Sequence, residues 1–158
     1  MTNRKRIIRS IVLSMSAACA IAACSDKHER FGKFTAIPDK GWAYNDSIVI
    51  NAAGLDTTDT PQRLKIGVRH DNDYDYRNLI MEITYRNGTR LMRDTVDMEL
   101  ADIYGAWSGS GLGPTYQAET VVNTSARIPD SATITIRHVM RLDTLRGIRQ
   151  IGIIIDKP

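Results

Sequence analysis

The sequence predicts an all-β protein: an antiparallel β-sandwich, with a jelly roll as one arrangement of it, behind an N-terminal lipoprotein signal peptide. Three observations carry that expectation. Apolar and polar residues alternate with period two in several short segments, which is the pattern of a strand with one buried face. Gly, Pro and Asn-Gly signals separate those segments. No segment longer than ten residues carries the 3.6-residue period of an amphipathic helix.

Residues 1–23 read as a secretory signal. Arg4, Lys5, Arg6 and Arg9 form a basic start, and an apolar run from Ile11 to Ala23 follows, broken only by Ser14 and Ser16. That run is too short for a stable membrane-spanning helix. It ends in Ile21-Ala22-Ala23-Cys24, the order of a bacterial lipobox: one branched apolar residue, two small residues, then Cys. Cys24 is therefore the predicted lipidation site. Cys19 is the weaker candidate, because Ser16 stands where the lipobox wants an aliphatic residue and cleavage there would leave Ala20 to Ala23 on the mature chain.

Removing residues 1–23 takes away four basic residues and no acidic one, so the formal charge of +3 becomes −1 over 135 residues. The basic pI belongs mostly to the signal, and nothing in the charge points to nucleic acid. The mature chain is long enough for one domain with a core of its own. Cys24 would be its only cysteine, so no disulfide supports the fold.

Residues 24–33 read as the lipidated Cys and a short polar tether, and 34–158 as the sandwich domain. Phe34 to Ser47 carries Pro38 and Gly41 and reads as irregular chain. Strands are then expected around Ile48 and Ile50, around Leu64, Ile66 and Val68, and along Leu79, Met81, Ile83 and Tyr85. Asn87-Gly88 marks a hairpin before Leu91. Asp94 to Tyr104 reads either as a strand followed by a loop or as a helical turn. Tyr116 to Val122, Ile134 to Val139, and Ile151, Ile153 and Ile155 complete seven to nine strands.

Motifs that could carry chemistry are few. Gly105 to Pro114 is glycine-rich, but it lacks the Lys and the following helix of a phosphate loop, so it reads as a turn with Trp107 packed on the core. Asp71-Asn72-Asp73-Tyr74-Asp75, with Glu82 twelfth from Asp71, imitates the start of a calcium loop. Tyr76 stands where the loop needs Gly, and Glu82 falls in a strand, out of phase with Met81 and Ile83. Hydrogen-bonded turns among the Asp and Asn side chains are the plainer reading. His28, His70 and His138 show no metal-ligand spacing, and no Ser sits in a nucleophile elbow. The residues imply no cofactor, no metal and no enzymatic activity. Trp42, Tyr44, Tyr74, Tyr76, Trp107 and Tyr116 could form an aromatic sugar platform. The alternative is that Trp42 and Trp107 cap the two ends of the core.

Several ordered patterns run through the chain. They are the lipobox Cys24; Phe34-Thr35-Ala36-Ile37-Pro38-Asp39-Lys40-Gly41-Trp42; Arg69-His70-Asp71-Asn72-Asp73-Tyr74 running into Asn78-Leu79; Met98-Glu99-Leu100-Ala101-Asp102 with Gly105-Ala106-Trp107-Ser108-Gly109-Ser110-Gly111; and Arg137-His138-Val139-Met140-Arg141 with Leu145-Arg146-Gly147-Ile148. In this order the chain resembles the gliding-motility lipoprotein H (GldH) family of Bacteroidota. The resemblance implies a non-catalytic envelope lipoprotein, an accessory or assembly component of the gliding and type IX secretion machinery. It brings no catalytic or cofactor residues. Its expected partners are the membrane, through the lipid, and an envelope protein, with no nucleic acid. Ser25 rather than Asp after Cys24, and the weak acidic signal of Asp26-Lys27, favour the periplasmic leaflet of the outer membrane over the cell surface. The competing reading is a glycan-binding envelope lipoprotein of a nutrient-uptake system.

Overall fold

In the computed structural model, residues 30–54 and 60–156 are described. The signal peptide, Cys19, Cys24 and His28 lie outside them. The described chain forms eleven strands in antiparallel pairs: β1 (Arg30–Ala36), β2 (Trp42–Ala43), β3 (Ile48–Asn51), β4 (Gln62–Asp71), β5 (Asn78–Asn87), β6 (Arg90–Glu99), β7 (Ser110–Leu112), β8 (Thr115–Ala126), β9 (Thr133–His138), β10 (Thr144–Leu145) and β11 (Ile148–Asp156).

Two sheets face each other, one ordered β1-β11-β4-β8-β7 and the other β3-β9-β5-β6. Setting aside the short β2, β7 and β10, the first of the remaining eight strands pairs with the last. The second pairs with the seventh, the third with the sixth and the fourth with the fifth. The chain is thus one long hairpin of four strand pairs, rolled so that successive pairs fall in alternate sheets. That is a jelly roll.

The alternation read in the sequence points the expected residues inward. Leu64, Ile66 and Val68 of β4 face Leu79, Met81, Ile83 and Tyr85 of β5, with Ile134, Ile136, Ile151, Ile153 and Ile155 in the same core. The β5–β6 turn is Gly88-Thr89, since Asn87 still pairs with Arg90. Gly88 has φ 60°, the conformation that the first turn position of this two-residue hairpin requires. Asp94 to Tyr104 resolves as the second half of β6 and then a loop.

The N-terminal boundary differs from expectation. Residues 30–33, read as tether, pair with β11 as the first half of β1. The missed signal is a pair of glycines. Gly67 and Gly152 lie opposite each other in the central strands β4 and β11. A side chain at either position would collide with the Phe34 ring. Phe34 therefore lies across them on the outer face, and the Arg69 guanidinium sits 4.2 Å above the ring centroid. A mid-strand glycine marks such a close approach.

The roll has two unlike ends. The proximal end, where the chain enters at Arg30, also holds the Gly88-Thr89 turn and the β8–β9 connection. The distal end gathers the β3-side loop 37–47, the β4–β5 loop 72–77, the β6–β7 loop 100–109 and the β9–β11 segment 139–147.

Candidate functional site at the distal loops

The calcium-like carboxylates sit at the distal end, but a cation of the chain already occupies them. The Arg149 Nε donates to the Asp71 carboxylate, Arg149 Nη2 lies 3.4 Å from Asp73, and Asp39 is 3.7 Å from Nη1. The bond to Asp71, then its charge, raises the Arg149 pKa. Asp71 also accepts the backbone N–H of Asp73, the hydrogen-bonded turn expected of such a loop. Asp75 is exposed, and Glu82 belongs to a different group altogether. Glu82 lies on the outer face of the second sheet, 2.9 Å from Arg137 and 3.7 Å from Arg93. The Arg137 hydrogen bond is the largest cause of its lowered pKa. Arg149 was invisible to motif reading because it comes 78 residues after Asp71 and only the roll brings them together.

Beside this cluster, His70 ends the inward face of β4 at 0% exposure. Its ring contacts Trp107 edge-on at 4.7 Å, Tyr116 in a stacked arrangement at 5.5 Å and Tyr74 at 6.1 Å. Nδ1 is 3.3 Å from the Asp71 carbonyl oxygen, and Nε2 is buried without a hydrogen-bond partner among the described residues. Burial lowers its pKa, opposed by the Asp71 carbonyl and charge, so the ring is neutral at pH 7. His138, also fully buried, meets Trp42 at 5.2 Å and Tyr44 at 5.6 Å edge-on. Desolvation lowers its pKa too.

Of the six aromatic residues only Tyr44 and Tyr76 are exposed, at 42% and 38%, so the six do not form one sugar platform. Trp42 and Tyr74 are buried in the core, and the Tyr74 hydroxyl donates to the Asn78 carbonyl at 2.8 Å. Trp107 is half-buried and donates through Nε1 to Asn72 Oδ1 at 3.0 Å. Both tryptophans pack the distal end, rather than one at each end, because the loops that carry them both return there. Gly105 to Pro114 holds a turn and the short β7, which pairs with the start of β8. Gly109 at φ 104° lies against the Gln117 backbone, where a side chain has no room.

An open polar depression of about 640 Å³ runs between Lys40, Asn72, Asp73, Asp75, Arg146 and Arg149. Its charges are mixed, and no group of three or more His, Cys, Asp or Glu among the described residues could hold a metal ion. Within it, Arg149 ties the loops together through Asp39, Asp71 and Asp73.

Residues 29–155 match the GldH lipoprotein family. The chain belongs to that family. It is also 24% identical over 159 residues, covering 94% of this chain and 95% of the relative, to the gliding motility lipoprotein GldH homolog of Christiangramia forsetii (strain DSM 17595 / CGMCC 1.15422 / KT0803). Among solved structures, an exo-β-1,3-galactanase from Phanerochaete chrysosporium with galactose aligns at a TM-score of 0.40 and 13% identity. That alignment covers 80% of this chain but only 26% of the galactanase chain, and at that score it carries no argument. Membership makes this GldH-family chain a membrane-anchored envelope lipoprotein with a jelly-roll domain.

Proposed function

We propose that this GldH-family lipoprotein is anchored by Cys24 in the periplasmic leaflet of the outer membrane. There it serves as a non-catalytic assembly or accessory component of the gliding and type IX secretion machinery. The observation that carries this reading is the family match over nearly the whole described domain. The distal geometry supports it: Asp71 and Asp73 are bound by Arg149, and His70 is enclosed by aromatic rings. Neither set presents a nucleophile beside a base. The burial of Trp42 and Tyr74, and the half-burial of Trp107 and Tyr116, speak against glycan capture by that aromatic set as the main task.

The anchor is tested by Cys24→Ala. Each buried CH₂ contributes about 0.8 kcal/mol, so losing the acyl chains removes the membrane attachment. The variant is expected to leave the outer-membrane fraction, to lose palmitate label, and to fail to restore secretion in a strain lacking the native protein. Unchanged fractionation with retained label would show that Cys24 is not the anchor. Normal secretion by the deletion strain would overturn the accessory role.

A further inference from the structure

Ile103 and Tyr104 are the two most exposed large apolar side chains among the described residues, at 73% and 89%. They sit at the tip of the β6–β7 loop, and that loop is held from within. Asp102 Oδ1 accepts the Tyr104 and Ala106 N–H groups at 2.8 and 2.9 Å. The Asp102 N–H donates to the Ala106 carbonyl at 3.0 Å, and the Gly105 N–H to the Asp102 carbonyl at 3.1 Å. Gly105 makes the turn at φ 82°. Ala101 bridges Trp107 across the loop base, and the Leu100 and Ala101 N–H groups both donate to the Arg77 carbonyl. Next to Arg77, Tyr76 is 38% exposed and leans on Tyr74. The Asp102 carboxylate thus holds two apolar residues in water, where they cover nothing in this domain.

We infer that this loop is a protein-docking knob: Ile103 and Tyr104 enter an apolar cleft of a folded envelope protein, on the side facing away from the anchor. The inference deepens the proposed function and rests on its protein-binding reading. Three observations select the occupant. The chain enters the roll at Arg30, at the end opposite the knob, so a Cys24 anchor would tether the domain by its far end and leave the knob free for a protein rather than the bilayer. The surrounding loops carry both signs of charge, Asp73 and Asp75 beside Arg77, Arg146 and Arg149, so there is no basic field for anionic lipid or nucleic acid. The backbone is already ordered, so docking immobilises little beyond two side chains, and Tyr is a residue type favoured at interface centres.

The test places a photo-crosslinking phenylalanine analogue at Tyr104 of the full-length lipidated protein in its own cells. A second probe at Val49, an exposed residue on the outer face of the other sheet, serves as control. The expected result is a discrete adduct from Tyr104, identified by mass spectrometry as one envelope protein, with the crosslinked peptide in an apolar cleft. Purified, that protein should bind the lipidated chain, and Ile103→Ser or Tyr104→Ser should weaken binding by about thirty-fold with unchanged melting. Asp102→Ala should also weaken binding, because it frees the loop backbone without touching the apolar tip. Vesicle binding lost in Tyr104→Ser would overturn the inference in favour of a lipid surface. An adduct between two copies of this chain would overturn it in favour of self-association. Protein adducts from Val49 with none from Tyr104 would sink the knob and leave the proposed function standing. Absence of protein adducts from both would count against both.

Discussion

His70 and His138 make the molecule's acid sensitivity predictable. Both are buried, and desolvation holds both below the ordinary value of 6.5. Below that value the unfolded chain binds protons that the folded chain refuses, so stability falls as pH drops from about 6.5 toward the folded-state values. Glu82 acts lower on the scale: its lowered pKa contributes stability that is lost only below its ordinary 4.5. The melting temperature of the domain from Lys27 onward should therefore decline between pH 7 and 5, and His70→Phe should flatten part of that decline. A flat profile in the native domain would refute the buried neutral histidines. Trp107 gives a second residue-scale outcome. Its half-buried ring covers His70 and ties to Asn72, so Trp107→Ala should cost about 2–3 kcal/mol, below the loss for a fully buried ring. Calorimetry checks this, and an unchanged melting temperature would return the ring to a binding role. The sequence pointed to Trp107 as a packed residue through its place in a glycine-rich turn, but for His70 it showed only the absence of metal-ligand spacing and not its burial. It could not show Arg149 between Asp71 and Asp73, because that contact exists only after two central strands have paired.

At the scale of elements, the inward-facing strands were legible and β1 was not. Strands such as β5 alternate cleanly because one face meets the core and the other meets water. β1 breaks that rule: Phe31 turns inward while Phe34 turns outward onto Gly67 and Gly152. Its apolar residues are three apart, so period-two reading passes over them. Gly67 and Gly152 were the available clue, since glycine weakens a central strand unless something approaches it closely. The two-residue β2 and β10 carry too little pattern to be read at all. Phe34 then fixes a prediction for the element. Phe34→Ala removes the ring that fills the glycine groove and supports the Arg69 guanidinium, so β1 should loosen on β11 while the core strands stay protected. Hydrogen exchange should speed up at the β1 amides by about ten-fold or more, as local opening replaces global unfolding there. Equal acceleration in β4 and β5 would show that β1 is not a separate unit of stability.

The whole molecule has a direction that follows from how the hairpin is rolled. The lipidated Cys24 reading leaves five residues between the anchor and Arg30, a reach of about 20 Å at full extension. The ten-residue strands β4, β5 and β6 add about 33 Å from the proximal to the distal end. Lying flat would bring a sheet face onto the bilayer, but the outer faces carry paired charges such as Lys65 with Asp156 and Arg137 with Glu82. With a formal charge of −1 after signal removal, the domain has no electrostatic reason to press against anionic lipid. It should stand with Arg90 near the headgroups and Tyr104 away from them. If Cys24 is lipidated as proposed, its thiol is blocked and Cys19 leaves with the signal, so a cysteine introduced at Arg90 or Tyr104 would be the single labelling site. A fluorophore at Arg90→Cys should be quenched by spin-labelled lipid headgroups, and one at Tyr104→Cys should not. Equal quenching at both positions would mean that the roll lies on its side, and the distal loops would then be membrane-facing rather than free to meet a partner.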